Sequence, residues 1–170
     1  MKFSVTAKQP NSSMCAVCGR DNPHSMKTEF FELENGELAA LFTPGPEHQG
    51  YPGRLHGGFA TAVLDELIGR ALNVNAEEEF WSVTVEISVK FKKPVPVGGR
   101  LTAVGRITEN RGRVFEGTGE IFLPSGEIAV EAKARYMKFS LDKDAEGDLG
   151  WGVSFSGKDP SEIDIPQNGQ

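Results

Sequence analysis

At 170 residues the chain has the size of one ordinary domain, and 38% hydrophobic residues plus 20 glycines bring it into the apolar range of globular proteins, which excludes global disorder. A net charge of −6 and a pI near 5.1 argue against a nucleic-acid partner. No apolar run approaches the ~20 residues that cross a bilayer, and residues 1–10 lack the apolar stretch of a secretory leader, so the sequence reads as cytoplasmic with no membrane partner.

Residues 1–26 read as an N-terminal extension built around the only two cysteines, Cys15 and Cys18, followed by Gly19, Pro23 and His24. Tetrahedral zinc takes about four ligands, and two thiolates with His24 fall short. The alternatives are a metal shared between chains, a redox pair, or a Gly- and Pro-punctuated turn folded on the core, and no metal site is assigned.

From Lys27 the periodicity becomes legible. Residues 27–33 and 37–43 predict two strands joined across Asn35-Gly36, the strongest short hairpin signal. Residues 44–56 are too rich in Pro and Gly for helix or central strand and predict a shaped loop. Residues 57–74 carry apolar side chains around most of a helix, which predicts a largely enclosed one. Its polar exceptions divide: Glu66 and Arg70 stand at i, i+4 as an ion pair, whereas Asp65 has no obvious partner on the helix.

Residues 81–92 alternate strictly, with Trp81, Val83, Val85, Ile87, Val89 and Phe91 on one face, and predict a strand ended by Pro94 and Pro96. Further strands are expected over 100–109, 113–123 and 127–139, joined by turns at 110–112 and 124–126. The fold class is therefore α+β: an antiparallel sheet of about six strands wrapped around one long central helix, with the main domain at 27–139. Residues 140–170 hold seven acids and two bases and read as an acidic tail, although Trp151, Phe155, Ile163 and Ile165 offer apolar side chains for docking. Between Lys90 and Arg113, seven bases face only Glu109 in sequence, a basic segment suited to a small polyanion.

The junction His48-Gln49-Gly50-Tyr51-Pro52-Gly53-Arg54-Leu55-His56-Gly57-Gly58, with Asp65 nine residues past His56, resembles the hotdog-fold acyl-CoA thioesterases, in particular the phenylacetic-acid-pathway thioesterase-like branch. The likeness covers about 14–139, including the Cys15-Ala16-Val17-Cys18-Gly19 opening and Lys92-Lys93-Pro94-Val95-Pro96-Val97-Gly98.

The resemblance implies hydrolysis of an acyl-CoA thioester, with no cofactor, by a homodimer or a dimer of dimers. It implies the Gly57 N–H as oxyanion donor, with Gly58 letting substrate approach the backbone, and Asp65 as general base or nucleophile. His56 and Gln49 are further catalytic candidates. Thr84 falls where relatives present a hydroxyl to the attacking water, and a threonine on the polar face of a strand also needs no such role. Lys92 and Lys93 are candidates for the phosphates of coenzyme A, against the alternative of ordinary solubilising lysines. The competing functional classes are a non-catalytic acyl-CoA binding or sensing protein on the same fold, and a hydratase, whose Asp/His motif is absent from the sequence.

Overall fold

The structure, a computed structural model, describes residues 1–77, 80–139 and 159–166. Eight strands form one antiparallel sheet: β1 (Lys2–Gln9), β2 (Glu29–Leu33), β3 (Leu38–Phe42), β4 (Trp81–Phe91), β5 (Leu101–Arg111), β6 (Val114–Phe122), β7 (Ile128–Phe139) and β8 (Glu162–Asp164). Their order is β4-β7-β6-β5-β3-β2-β1-β8. One helix, α1 (Gly57–Arg70), is followed by a 3-10 turn at Ala71–Asn73 and packs on β3 to β7. This is the hotdog architecture, with two strands more than the six expected.

The six expected strands and the helix form where the periodicity puts them; five of the strands have a buried face to pin their register, whereas β4, half-buried to exposed throughout, is held by its pairing with β7. Tight turns fall at the predicted glycines: Gly36, Gly112 and Gly126 have positive φ, a region that strongly favours glycine. Close helix packing needs two others. A Cβ on Gly105 would lie 2.8 Å from Leu67, and one on Gly117 would lie 2.6 Å from Ile68, so α1 rests directly on the backbones of β5 and β6.

The two extra strands come from the ends of the chain. Phe30, Leu38 and Ala40 point toward α1, whereas Phe31, Leu33, Ala39 and Leu41 alternate to the outer face. That second apolar face is closed by Ile163 and Ile165, 4% and 5% exposed, each contributing roughly 1.5–3 kcal/mol by burial. Lys8 clips the arrangement together, its Nζ 2.7 Å from Glu29 and 2.8 Å from Asp159. Burial opposes that ammonium's charge, but the two carboxylates outweigh it and hold the Lys8 pKa above its ordinary value.

Within the segment after 139, residues 159–166 complete a core face through Ile163 and Ile165, two of the apolar side chains offered for docking. Trp151 and Phe155 lie outside the described residues.

The basic segment is also redistributed by the sheet. Lys90 and Lys92 meet Glu131, Lys93 meets Glu127, and Arg106 is clamped between Glu37 and Glu120. Pairing across strands, invisible in a linear count, neutralises much of the excess charge.

Candidate active site

The loop before α1 is shaped by a buried histidine. His48 Nδ1 accepts from the Gly45 N–H at 2.9 Å, and its Nε2 donates to the His24 carbonyl at 2.8 Å, tying the loop to the N-terminal segment. The His48 carbonyl accepts the His56 N–H at 2.9 Å, which delivers the chain into the helix. Gln49 works within the same loop, its Oε1 accepting the Gly53 N–H at 3.1 Å. Neither of the cavities described below includes Gln49 in its lining.

His56 is the N-cap of α1. Its Nδ1 accepts the Gly58 N–H at 2.9 Å, and its carbonyl accepts from Phe59 at 3.0 Å and Ala60 at 3.2 Å. Among the described residues no acceptor takes the Gly57 N–H, so the first donor of the helix stays open at its positive end. Gly57 lines a cavity of about 270 Å³ together with Phe91, Lys92 and Lys93. A Cβ at Gly57 would stand 3.2 Å from the Phe91 ring, so the missing side chain keeps that approach open. The Gly58 N–H, in contrast, is already bonded.

Asp65 lies two turns further along, on a different cavity of about 1010 Å³. Its partners come from the sheet: Thr84 on β4 donates to Oδ1 at 2.7 Å, and the Tyr136 hydroxyl on β7 stands 3.1 Å from the same oxygen and 2.9 Å from the Asp65 carbonyl. Two hydroxyls therefore fix one carboxylate oxygen, while the described residues supply no hydrogen bond to Oδ2. Such a group can accept a proton from water or attack an electrophilic carbon.

Tyr136 is buried, and burial followed by the Asp65 charge raises its pKa well above the phenol value, so it remains a donor. Its role was not marked by the sequence, because in the alternation of β7 a tyrosine is indistinguishable from a core residue.

Next to this cavity the N-terminal turn docks on the helix. Cys15, like Asp65, Glu66 and Arg70, lines the larger cavity. Cys15 Sγ accepts the Val17 and Cys18 N–H groups at 3.2 and 3.4 Å, and its thiol donates to Glu66 Oε2 at 3.2 Å. Hydrogen bonding from Cys18, opposed by burial and by the Glu66 charge and helped by those N–H groups, brings the Cys15 pKa down to about 7. The Cys18 thiol moves the other way, because it is bonded to Cys15 and buried. The Glu66–Arg70 ion pair expected from spacing is present at 2.8 Å. His24 is exposed and does not join the cysteines, whose carboxylate neighbour comes from the helix instead.

Thr84 and Asp65 are thus brought together, and Gly57 sits with Lys92 and Lys93, but the two groups line separate cavities of this chain. Both lysines already face glutamates on the neighbouring strand and loop.

Comparison with known proteins gives a consistent result. Residues 52–130 match the family model of the thioesterase superfamily. A 69-residue stretch, 41% of this chain, is 36% identical to the mouse acyl-coenzyme A thioesterase THEM5, covering 27% of that protein. The human THEM5 is 32% identical over 68 residues, 40% of this chain and 26% of that one, so the matched stretch spans about a quarter of the length of these curated relatives.

Among solved structures, a thioesterase superfamily protein superimposes with a TM-score of 0.65 at 25% identity, over 72% of this chain and 59% of that one. The PaaI protein of the Escherichia coli phenylacetic acid degradation operon does so with a TM-score of 0.60 at 15% identity, over 68% and 81%. A thioesterase from Haemophilus influenzae gives 0.65 at 17% identity, over 76% and 90%.

Proposed function

We propose that the protein, whose residues 52–130 match the thioesterase-superfamily model, hydrolyses an acyl-CoA thioester to free acid and coenzyme A. The observation that carries this reading is the Asp65 carboxylate, held at Oδ1 by Thr84 and Tyr136 on the wall of a cavity of about 1010 Å³. Water deprotonated by Asp65 attacks the thioester carbon, or the carboxylate itself attacks to give an anhydride that water then opens; in either route the Gly57 N–H meets the oxyanion, and its collapse breaks the C–S bond and releases coenzyme A, whose sulfur takes up the proton. Lys92 and Lys93 flank the Gly57 cavity and are each paired with a glutamate, so they would have to exchange Glu131 and Glu127 for the phosphates of the nucleotide end.

The reading requires a homodimer. Eight residues of helix separate Gly57 from Asp65 by about 12 Å, too far for both to serve one thioester from the same chain. Strand β4 is an open edge, and Val83, Val85 and Phe91 are 46%, 56% and 58% exposed, an apolar surface suited to a second copy. Pairing there supplies the oxyanion donor from one protomer and the carboxylate from its partner.

The test is Asp65→Asn, assayed by thiol release over short, medium, long and aromatic acyl-CoA substrates. Turnover is expected to fall at least about a hundredfold with acyl-CoA binding and fold retained. Retained turnover removes Asp65 from the mechanism. Binding without turnover in the unaltered protein points instead to an acyl-CoA sensor.

A further inference from the structure

We propose a binding site at Cys15, Cys18 and Glu66 for a divalent, thiolate-preferring metal ion, zinc by its chemistry. The two sulfurs and a Glu66 carboxylate oxygen all lie within 4.8 Å of one another. Ligands about 2.3 Å from a tetrahedral ion stand roughly 3.8 Å apart, so small side-chain rotations are enough to close on one.

The turn that carries the sulfurs is built to present them. Gly19 N–H bonds the Cys15 carbonyl at 2.8 Å, and a Cβ on Gly19 would fall 2.3 Å from that oxygen, so the chain can curl tightly only with glycine there. The curl aims the Val17 and Cys18 N–H groups at the Cys15 sulfur, a cradle that suits a thiolate better than a thiol. Asn11 Nδ2 donates to the Cys18 carbonyl at 2.8 Å and to the Thr28 carbonyl at 2.9 Å, which fixes the turn against β2.

Charge bookkeeping favours a divalent ion. Two thiolates and one carboxylate around it sum to −1, and Arg70, with Nη2 2.8 Å from Glu66 and 3.4 Å from Cys18, returns the cluster to neutrality. Cys18 is fully buried, and the Glu66 and Arg70 side chains are 19% and 12% exposed, so an uncompensated charge there would be costly. On coordination each thiol releases its proton to solvent as the sulfur–metal bond forms, and nothing is oxidised or reduced. Because Cys15 and Glu66 line the same cavity as Asp65, the ion would pin residues 10–28 to the helix as one wall of that cavity. Three protein ligands with one open position also leave room for a water or a substrate group.

The site stands apart from the thioesterase reading, and its test needs no turnover. The full-length protein, reduced and stripped with chelator, is titrated with Zn²⁺ and separately with Co²⁺. One Zn²⁺ per chain and a rise in Tm of at least about 4 °C at saturation are expected, and the Co²⁺ form should show thiolate-to-cobalt absorption. Cys15→Ser, checked by circular dichroism, should weaken those bands, and the double variant Cys15→Ser/Cys18→Ser should lose them. Glu66→Gln should keep them while weakening Zn²⁺ binding at least about tenfold, the minimum seen even for outer-shell losses.

Reduced protein that binds neither ion overturns the proposal, as do cobalt bands that survive loss of both cysteines in a folded protein or an unchanged affinity in Glu66→Gln. A protein that ignores both ions yet closes a Cys15–Cys18 disulfide in glutathione buffer overturns it in favour of a redox pair.

Discussion

The two ends of α1 have opposite chemistry. The first turn carries no acidic or basic side chain, only His56 as cap and two glycines, and its open Gly57 N–H stands beside the exposed Phe91 ring. The second half carries Asp65, Glu66 and Arg70, each bonded to groups from the sheet, the N-terminal turn or the helix itself. Backbone alone can supply a partial positive charge at a helix start, while a full negative charge on a packed helix needs donors from elsewhere. That is why one end is bare and the other heavily partnered. It is also why the two candidate halves of a hydrolytic site lie in different cavities of one chain.

The largest expected effect tests whether those halves belong together. Gly57→Pro removes the open N–H while keeping a residue acceptable at a helix start, and His56 already has ψ of 134°, the extended region required before proline. The added ring presses on Phe91, so its fold is checked first. Losing one oxyanion donor should cut kcat by about 10²- to 10³-fold. Mixed with Asp65→Asn, subunit exchange should gather both lesions in one site of each heterodimer and leave the other whole, restoring up to about half of the normal activity per heterodimer. No recovery, with exchange demonstrated by differently tagged subunits, breaks the link between the two ends of the helix.

A smaller effect separates the supports of Asp65. Tyr136→Phe deletes a buried hydroxyl that reaches both Oδ1 and the Asp65 carbonyl. A net hydrogen bond of about 1 kcal/mol predicts a five- to tenfold loss in kcat and a measurable drop in Tm. Thr84→Val removes only an exposed hydroxyl on the edge strand, 2.7 Å from the same oxygen, so it should lower kcat similarly and leave Tm nearly unchanged. Equal Tm losses in the two variants would show that Tyr136 is no more structural than Thr84.

How much of this the sequence disclosed follows from where each signal lives. The Asn35-Gly36 hairpin, the enclosed helix and the alternation of β4 are local periodicities, and they form within a few residues of where they are expected. β1 alternates only through Phe3 and Val5, because a register shift before Ala7 leaves that residue exposed, and it precedes a Pro- and Cys-containing stretch, which masks it. β8 has three residues and exists only because Phe31, Leu33 and Leu41 leave an outer face to cover.

At the candidate site, Asp65 and Gly57 are marked by motif, whereas the Tyr136 hydroxyl is placed by register across 71 residues. Glu66 was legible only as the partner of Arg70. Its proximity to Cys15 depends on an N-terminal turn folding over the helix, which no spacing encodes.

The smallest effect concerns His56, where capping and catalysis predict different outcomes. As a cap, His56 contributes one hydrogen bond through Nδ1 to the Gly58 N–H. Its loss in His56→Ala should cost about 1 kcal/mol, a fall in Tm of about 2–4 °C for a domain of this size. The kcat change should stay under about tenfold, because the Gly57 donor remains. Asparagine is among the best N-cap residues, so His56→Asn should restore Tm to near its original value. If the imidazole does chemistry as well, asparagine restores Tm without restoring kcat, and a loss of about a hundredfold in a fully stable His56→Asn would move His56 from the helix cap into the reaction. Matching recovery of both quantities assigns it to the helix start alone, and leaves Gly57 as the only group that this end of α1 contributes to the thioester.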